Sequence, residues 1–101
     1  MQDMELIVFE IISNGGNAKA LVYEAIEASE NGKFKEAREL LNEADTFLNK
    51  AHQVQTDLIQ KEAAGEKNEV TVLFVHAQDH LMTTMTLREV AIEMLELYKK
   101  S

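Results

Sequence analysis

Val70-Thr71-Val72-Leu73-Phe74-Val75-His76-Ala77-Gln78-Asp79-His80-Leu81-Met82-Thr83-Thr84 is the stretch on which the reading of this 101-residue chain turns. From Val70 to Met85 it carries one charged side chain, Asp79, and two histidines. Residues 76 and 80 are four apart, so on a helix they share one face. Asp79, three residues after His76, falls about 60° around the helix from it at 100° per residue. Successive Val72, Leu73, Phe74 and Val75 cover most of the circumference, whereas an ordinary bundle helix has one apolar stripe and a charged opposite face. A helix apolar almost all round needs burial on more than one side, which a small monomer does not offer. We therefore expect it to face a partner, most simply copies of itself in a symmetric homo-oligomer. Arg88, Glu89, Glu93, Glu96 and Lys99 restore a polar face further along, so that contact should concentrate in the first half of the helix.

Two further helices come from the same periodicity. Leu6, Phe9, Ile12, Leu21, Ala25 and Ala28 recur at helical spacing in a first segment, interrupted by Asn14-Gly15-Gly16-Asn17, where a kink or short break is expected. Asn31-Gly32 closes that segment, since glycine supplies the left-handed residue of a helix end. A second segment runs from Phe34 through Ala37, Leu40, Leu41, Ala44, Phe47 or Leu48, Ala51, Val54, Leu58 and Ile59 to about Ala64. A polar turn, Gly65-Glu66-Lys67-Asn68, precedes a third helix from about Glu69 to Lys100. Short connections make the three helices antiparallel neighbours. The expected fold is all-α, a single domain over 1-101 folded as an up-down-up three-helix bundle.

Composition narrows the function. Hydrophobic residues make up 46% and charged residues 28%, as in globular proteins. The formal charge of −8, with no basic stripe, argues against nucleic acid, whose phosphates demand a cationic face. There is no cysteine, so disulfides, thiolate metal sites and thiol nucleophiles are excluded. No window is long and apolar enough for a membrane span, and Met1-Gln2-Asp3-Met4-Glu5 is acidic rather than the start of a signal peptide. The expected location is cytoplasmic, without membrane insertion.

Three chemistries fit His76, Asp79 and His80. A histidine pair at this spacing can chelate zinc. Ala77, however, stands where the glutamate of His-Glu-x-x-His would be, and a third ligand would have to come from His52 or another subunit. The histidines can instead be packed, satisfied by Gln78, Thr83 or Thr84, in a non-enzymatic helical oligomeric adaptor. Or one of them is a nucleophile, since neutral imidazole attacks phosphorus and acyl carbon.

Val75 to Thr84 resembles the signature of the lactose/cellobiose-class enzyme IIA components of the phosphoenolpyruvate-dependent sugar phosphotransferase system. The resemblance extends through Phe9-Glu10-Ile11, Ala25 to Gly32, Ala51-His52 with Gln55-Thr56, Glu62-Ala63-x-Gly65 and Leu95-Glu96-Leu97-Tyr98-Lys99. It implies a three-helix bundle that trimerises through its third helix into nine helices. His76 would be the phosphoryl acceptor on Nε2, taking the group from phospho-HPr and passing it to the cysteine of a sugar-specific IIB component, and through it serving a membrane IIC component. Asp79 would lie on the threefold axis, three copies sharing a divalent cation, usually magnesium. Gln78 and His80 carry no such definite role; Gln78 is read as a hydrogen-bonding support and His80 as local support or a packed histidine. The sugar, a β-glucoside or β-galactoside disaccharide, is not specified by these residues.

Overall fold

The computed structural model describes residues 4–101; the N-terminal Met1-Gln2-Asp3 considered above lie outside the described residues. Three helices account for nearly all of it: α1 (Met4–Glu30), α2 (Phe34–Ala63) and α3 (Val72–Lys100), and no strand occurs among the described residues. They form an elongated bundle of 51 × 20 × 20 Å. The core is a line of small and branched side chains, with Ile7, Val8, Ile11, Ala18, Val22 and Ala25 from α1 meeting Leu41, Ala44, Leu48, Ala51 and Leu58 from α2 and Ala77, Leu81, Ala91 and Leu95 from α3. α1 packs along both other helices, which approach each other only sparingly.

The helix ends follow from local chemistry. Gly32, at φ +75°, terminates α1: Lys33 N–H donates to Ala28 O and Gly32 N–H to Ser29 O, the paired bonds of a Schellman motif. Gly65, at φ +102°, repeats the arrangement after α2, with Glu66 N–H on Lys61 O and Gly65 N–H on Glu62 O. α3 begins three residues later than the apolar run suggests. Thr71 is extended and its hydroxyl accepts the Phe74 N–H, an N-cap that satisfies a free helix-end donor and leaves Glu69 and Val70 in the connection.

Two other expectations are corrected. α1 runs unbroken through Asn14-Gly15-Gly16-Asn17, with Asn14 Nδ2 donating to Glu10 O along the helix. The cost of two glycines is met by the packing of Ala18, Val22 and Ile11 on either side. The buried face of the first turns of α1 is also not the one read from the sequence. Leu6 and Phe9 are 55% and 66% exposed, while Ile7, Val8 and Ile11 fill the core. Both sets have helical spacing, so periodicity alone could not choose between them.

Candidate functional site

α3 turns Ala77, Leu81, Thr84, Ala91 and Leu95 into the core. That line fixes where every other side chain of the helix points. On the side away from the core it leaves Val72, Val75, Asp79, Met82, Val90 and Leu97, all exposed in the single chain, Val72 by 88%. In the second half of α3 the same side mixes exposed Val90 and Leu97 with exposed Thr86 and Glu93, in keeping with the charge pattern. Asp79 is the acidic interruption in its upper half, and its carboxylate has no hydrogen bond among the described residues.

His76 is exposed on one flank of α3, about 100° around from the core residue Ala77. His80, one turn on, is half-buried, and its ring meets that of His76 edge to face, the centroids 4.6 Å apart and the planes at 78°. Beneath His80 the backbone is unusually engaged. The buried Thr84 hydroxyl donates to His80 O at 2.7 Å, and Thr83 Oγ1 donates to Asp79 O at 2.8 Å and to His80 O at 3.3 Å.

Gln78 is on the opposite flank, about 160° around the helix from His76, so within one chain the structure does not bring the two together. It bridges to α2 instead: Gln55 Nε2 donates to Gln78 Oε1 at 2.6 Å and also approaches Met82 Sδ at 3.7 Å. Gln55 is only 7% exposed, a buried carboxamide that the sequence reading placed in the resemblance without a role. A further signal was a polar residue at a position where the α2 pattern calls for an apolar one. The α2–α3 seam has two further links, a bidentate Arg88–Asp45 pair (Nη2 to Oδ2 2.9 Å, with Nε on Oδ1) and an exposed Arg38–Glu96 contact at 3.0 Å. The Asp45 hydrogen bond raises the Arg88 guanidinium above its ordinary value, against the lowering effect of partial burial. This pair faces a groove of about 340 Å³ between α2 and α3, lined also by Leu48, His52, Met85 and Glu89.

His52 is thus committed to that groove rather than brought to His76 and His80. Among the described residues, no group of three histidine or acidic side chains comes together to hold a metal ion. A zinc site built on the histidine pair therefore lacks a third ligand among the described residues of one chain. No helix is long and apolar enough to cross a membrane among the described residues. What remains is an exposed imidazole on a rigid helix, braced by a second ring.

Residues 6–99 match the family model described as the PTS system, lactose/cellobiose-specific IIA subunit. The lichenan-specific phosphotransferase enzyme IIA component of Bacillus subtilis (strain 168) is 52% identical over 99 residues, which span 98% of this chain and 90% of that protein. Among solved structures, the PTS cellobiose-specific enzyme IIA from Bacillus anthracis superposes with a TM-score of 0.93 at 48% identity, covering 99% of this chain and 92% of the other. The solution structure of the IIA(chitobiose)–HPr complex from the Escherichia coli phosphotransferase system superposes with a TM-score of 0.82 at 38% identity, over 99% of this chain and 97% of the other.

Proposed function

The chain belongs to the lactose/cellobiose-specific IIA family of phosphotransferase components, and from that premise we propose that it is the cytoplasmic phosphocarrier of one sugar uptake system, with His76 as its phosphoryl acceptor. The observation that carries this assignment is the exposed imidazole of His76, one turn into a helix whose neighbouring residues match the family along its whole length. The donor is phospho-HPr, a choice supported by the complex that the chitobiose relative forms with HPr.

The chemistry asks for little besides orientation. Nε2 of neutral His76, with its proton on Nδ1, attacks phosphorus as the donor imidazole leaves in line. The donor N–P bond breaks, the Nε2–P bond forms, and each imidazole keeps its own N–H proton. In the second step the thiolate of a IIB cysteine attacks phosphorus, the Nε2–P bond breaks, and neutral His76 is regenerated. IIB then serves a membrane IIC component that takes up a β-glucoside or β-galactoside disaccharide. The relatives named above are specific for lichenan, cellobiose and chitobiose while remaining 38–52% identical to this chain, so sugar choice falls to the other components.

The same reading includes a homotrimer of nine helices, with the outward line of α3 against the threefold axis. Asp79 is the only acidic side chain in the upper half of that line, and its carboxylate is exposed and without an internal hydrogen bond. Three such carboxylates on an axis repel one another, and their oxygens suit a hard divalent cation such as magnesium. The cation would supply charge neutralisation for assembly and take no part in phosphoryl transfer.

Incubation with phosphoenolpyruvate, enzyme I and HPr should place an acid-labile, base-stable phosphate on the protein, and His76→Ala should abolish it. A wild-type protein that stays unlabelled, or a label that survives in His76→Ala, overturns the assignment in favour of a packed-histidine adaptor.

A further inference from the structure

We propose that His80 is a positioning residue for His76: its ring, set edge to face against the His76 imidazole, holds that imidazole in the orientation that presents Nε2 to an incoming phosphoryl group. The inference deepens the phosphocarrier reading and rests on it.

An exposed histidine rotates readily about its last side-chain bond, because that torsion is broad and nearly two-fold. A half-turn exchanges the places of ring nitrogens and carbons and takes Nε2 out of line. In-line transfer between two imidazoles is sensitive to such a displacement, since positioning is most of what the protein contributes. His76 has no hydrogen-bond partner for its ring among the described residues, which leaves a ring contact as the means within the chain to limit the rotation. The described contact to its ring is with His80, at 4.6 Å between centroids and 78° between planes, the arrangement aromatic pairs prefer.

His80 is suited to be the fixed member of the pair. It is half-buried where His76 is exposed. The turn that carries it is tied by hydroxyls, with Thr84 and Thr83 both donating to His80 O and Thr83 also to Asp79 O. Back-bonding of this kind adjusts the local path of a helix. Thr84 itself is buried, so its hydroxyl cannot swing away to solvent. The order of support therefore runs from the core through Thr84 to the His80 backbone, then from the His80 ring to His76.

The test compares His80→Ala, His80→Phe and His80→Gln in phosphoryl transfer from phospho-HPr, together with nitrogen-detected NMR of the His76 ring in the unphosphorylated protein. His80→Ala should lower the transfer rate constant by about three- to tenfold, the range open to one aromatic contact, with the KM for phospho-HPr unchanged. It should also move the His76 ring signals toward positions averaged over the two ring orientations. His80→Phe, which keeps an edge-to-face ring but has no N–H, should restore most of the rate and signals free of that averaging. His80→Gln, which keeps a donor without a ring, should not. Wild-type rate and NMR signals in His80→Ala would overturn the proposal, as would rescue by Gln and not Phe, which would make His80 a hydrogen-bond donor to the phosphoryl group. The NMR measurement needs no phosphoryl transfer, so an unlabelled wild-type protein would refute the phosphocarrier reading while the positioning of His76 is still tested.

Discussion

Gln55, Thr84 and Ser29 are the polar side chains that the core admits, and each is there on a particular condition. Ser29 donates to Ala25 O at 2.9 Å and Thr84 to His80 O, local bonds that need no other helix. Gln55 depends on Gln78 across the seam. Replacing it with leucine leaves the part-buried Gln78 carboxamide without its donor, and chemical denaturation should register a loss of about 1–3 kcal/mol. Thr84→Val keeps the shape, removes one hydroxyl and leaves His80 O its helical bond; its cost should stay below about 1 kcal/mol. Arg88 and Asp45 give the seam a charge-assisted link. A raised guanidinium is stabilising below its unfolded value and loses that contribution only as pH rises past its folded value, so the Arg88 side of this link persists across the range in which the protein works.

At the scale of elements, capping explains where the helices stop more completely than hydrophobic spacing does. Thr71→Ala should cost about 1 kcal/mol in urea unfolding by removing the acceptor for Phe74 N–H. Gly15 and Gly16 are the reverse case. They lie inside a continuous helix, and a methyl group added at either meets no atom within 4 Å. Gly15→Ala and Gly16→Ala should each stabilise the protein by about 0.5–1 kcal/mol, read from the denaturation midpoint. Destabilisation by Gly16→Ala would instead indicate that another chain closes on α1 there, because Gly16 is exposed in the single chain. The periodic apolar residues, the Gly32 and Gly65 stops and the three-helix order were all legible in the sequence. The inward face of early α1 was not, because Leu6 and Phe9 have the same spacing as Val8 and Ile11 and only the position of α2 and α3 distinguishes them.

For the whole molecule, the single chain leaves Val72, Val75 and Met82 exposed on the outward side of the first half of α3, with Val90 and Leu97 further along beside Thr86 and Glu93. Exposed apolar side chains grouped on one face are unfavourable in water, which is the physical basis for the proposed trimer. Light scattering should give a mass three times that of the chain, and a mass equal to one chain would contradict the homotrimer outright. Asp79→Leu should leave the trimer intact or raise its melting temperature, since it replaces three clustered carboxylates by apolar side chains. If the axis holds a divalent cation, a chelator should lower the wild-type melting temperature and leave that of Asp79→Leu unchanged.

The sequence by itself determined the fold class, the helix order and the presence of His76, Asp79 and His80 on one helix, because these depend on spacing along a chain whose geometry is regular. It also carried the expectation that α3 faces a partner, since charge and hydropathy are properties of the residues themselves. Only the tertiary structure decided which flank each of these residues occupies, for that depends on how α3 is rolled against α1 and α2. The roll turns Gln78 toward Gln55 and leaves Asp79 on the outward line. It also set the ring of His80 against that of His76, a contact that four-residue spacing permits but that only side-chain rotamers, chosen by packing, can make.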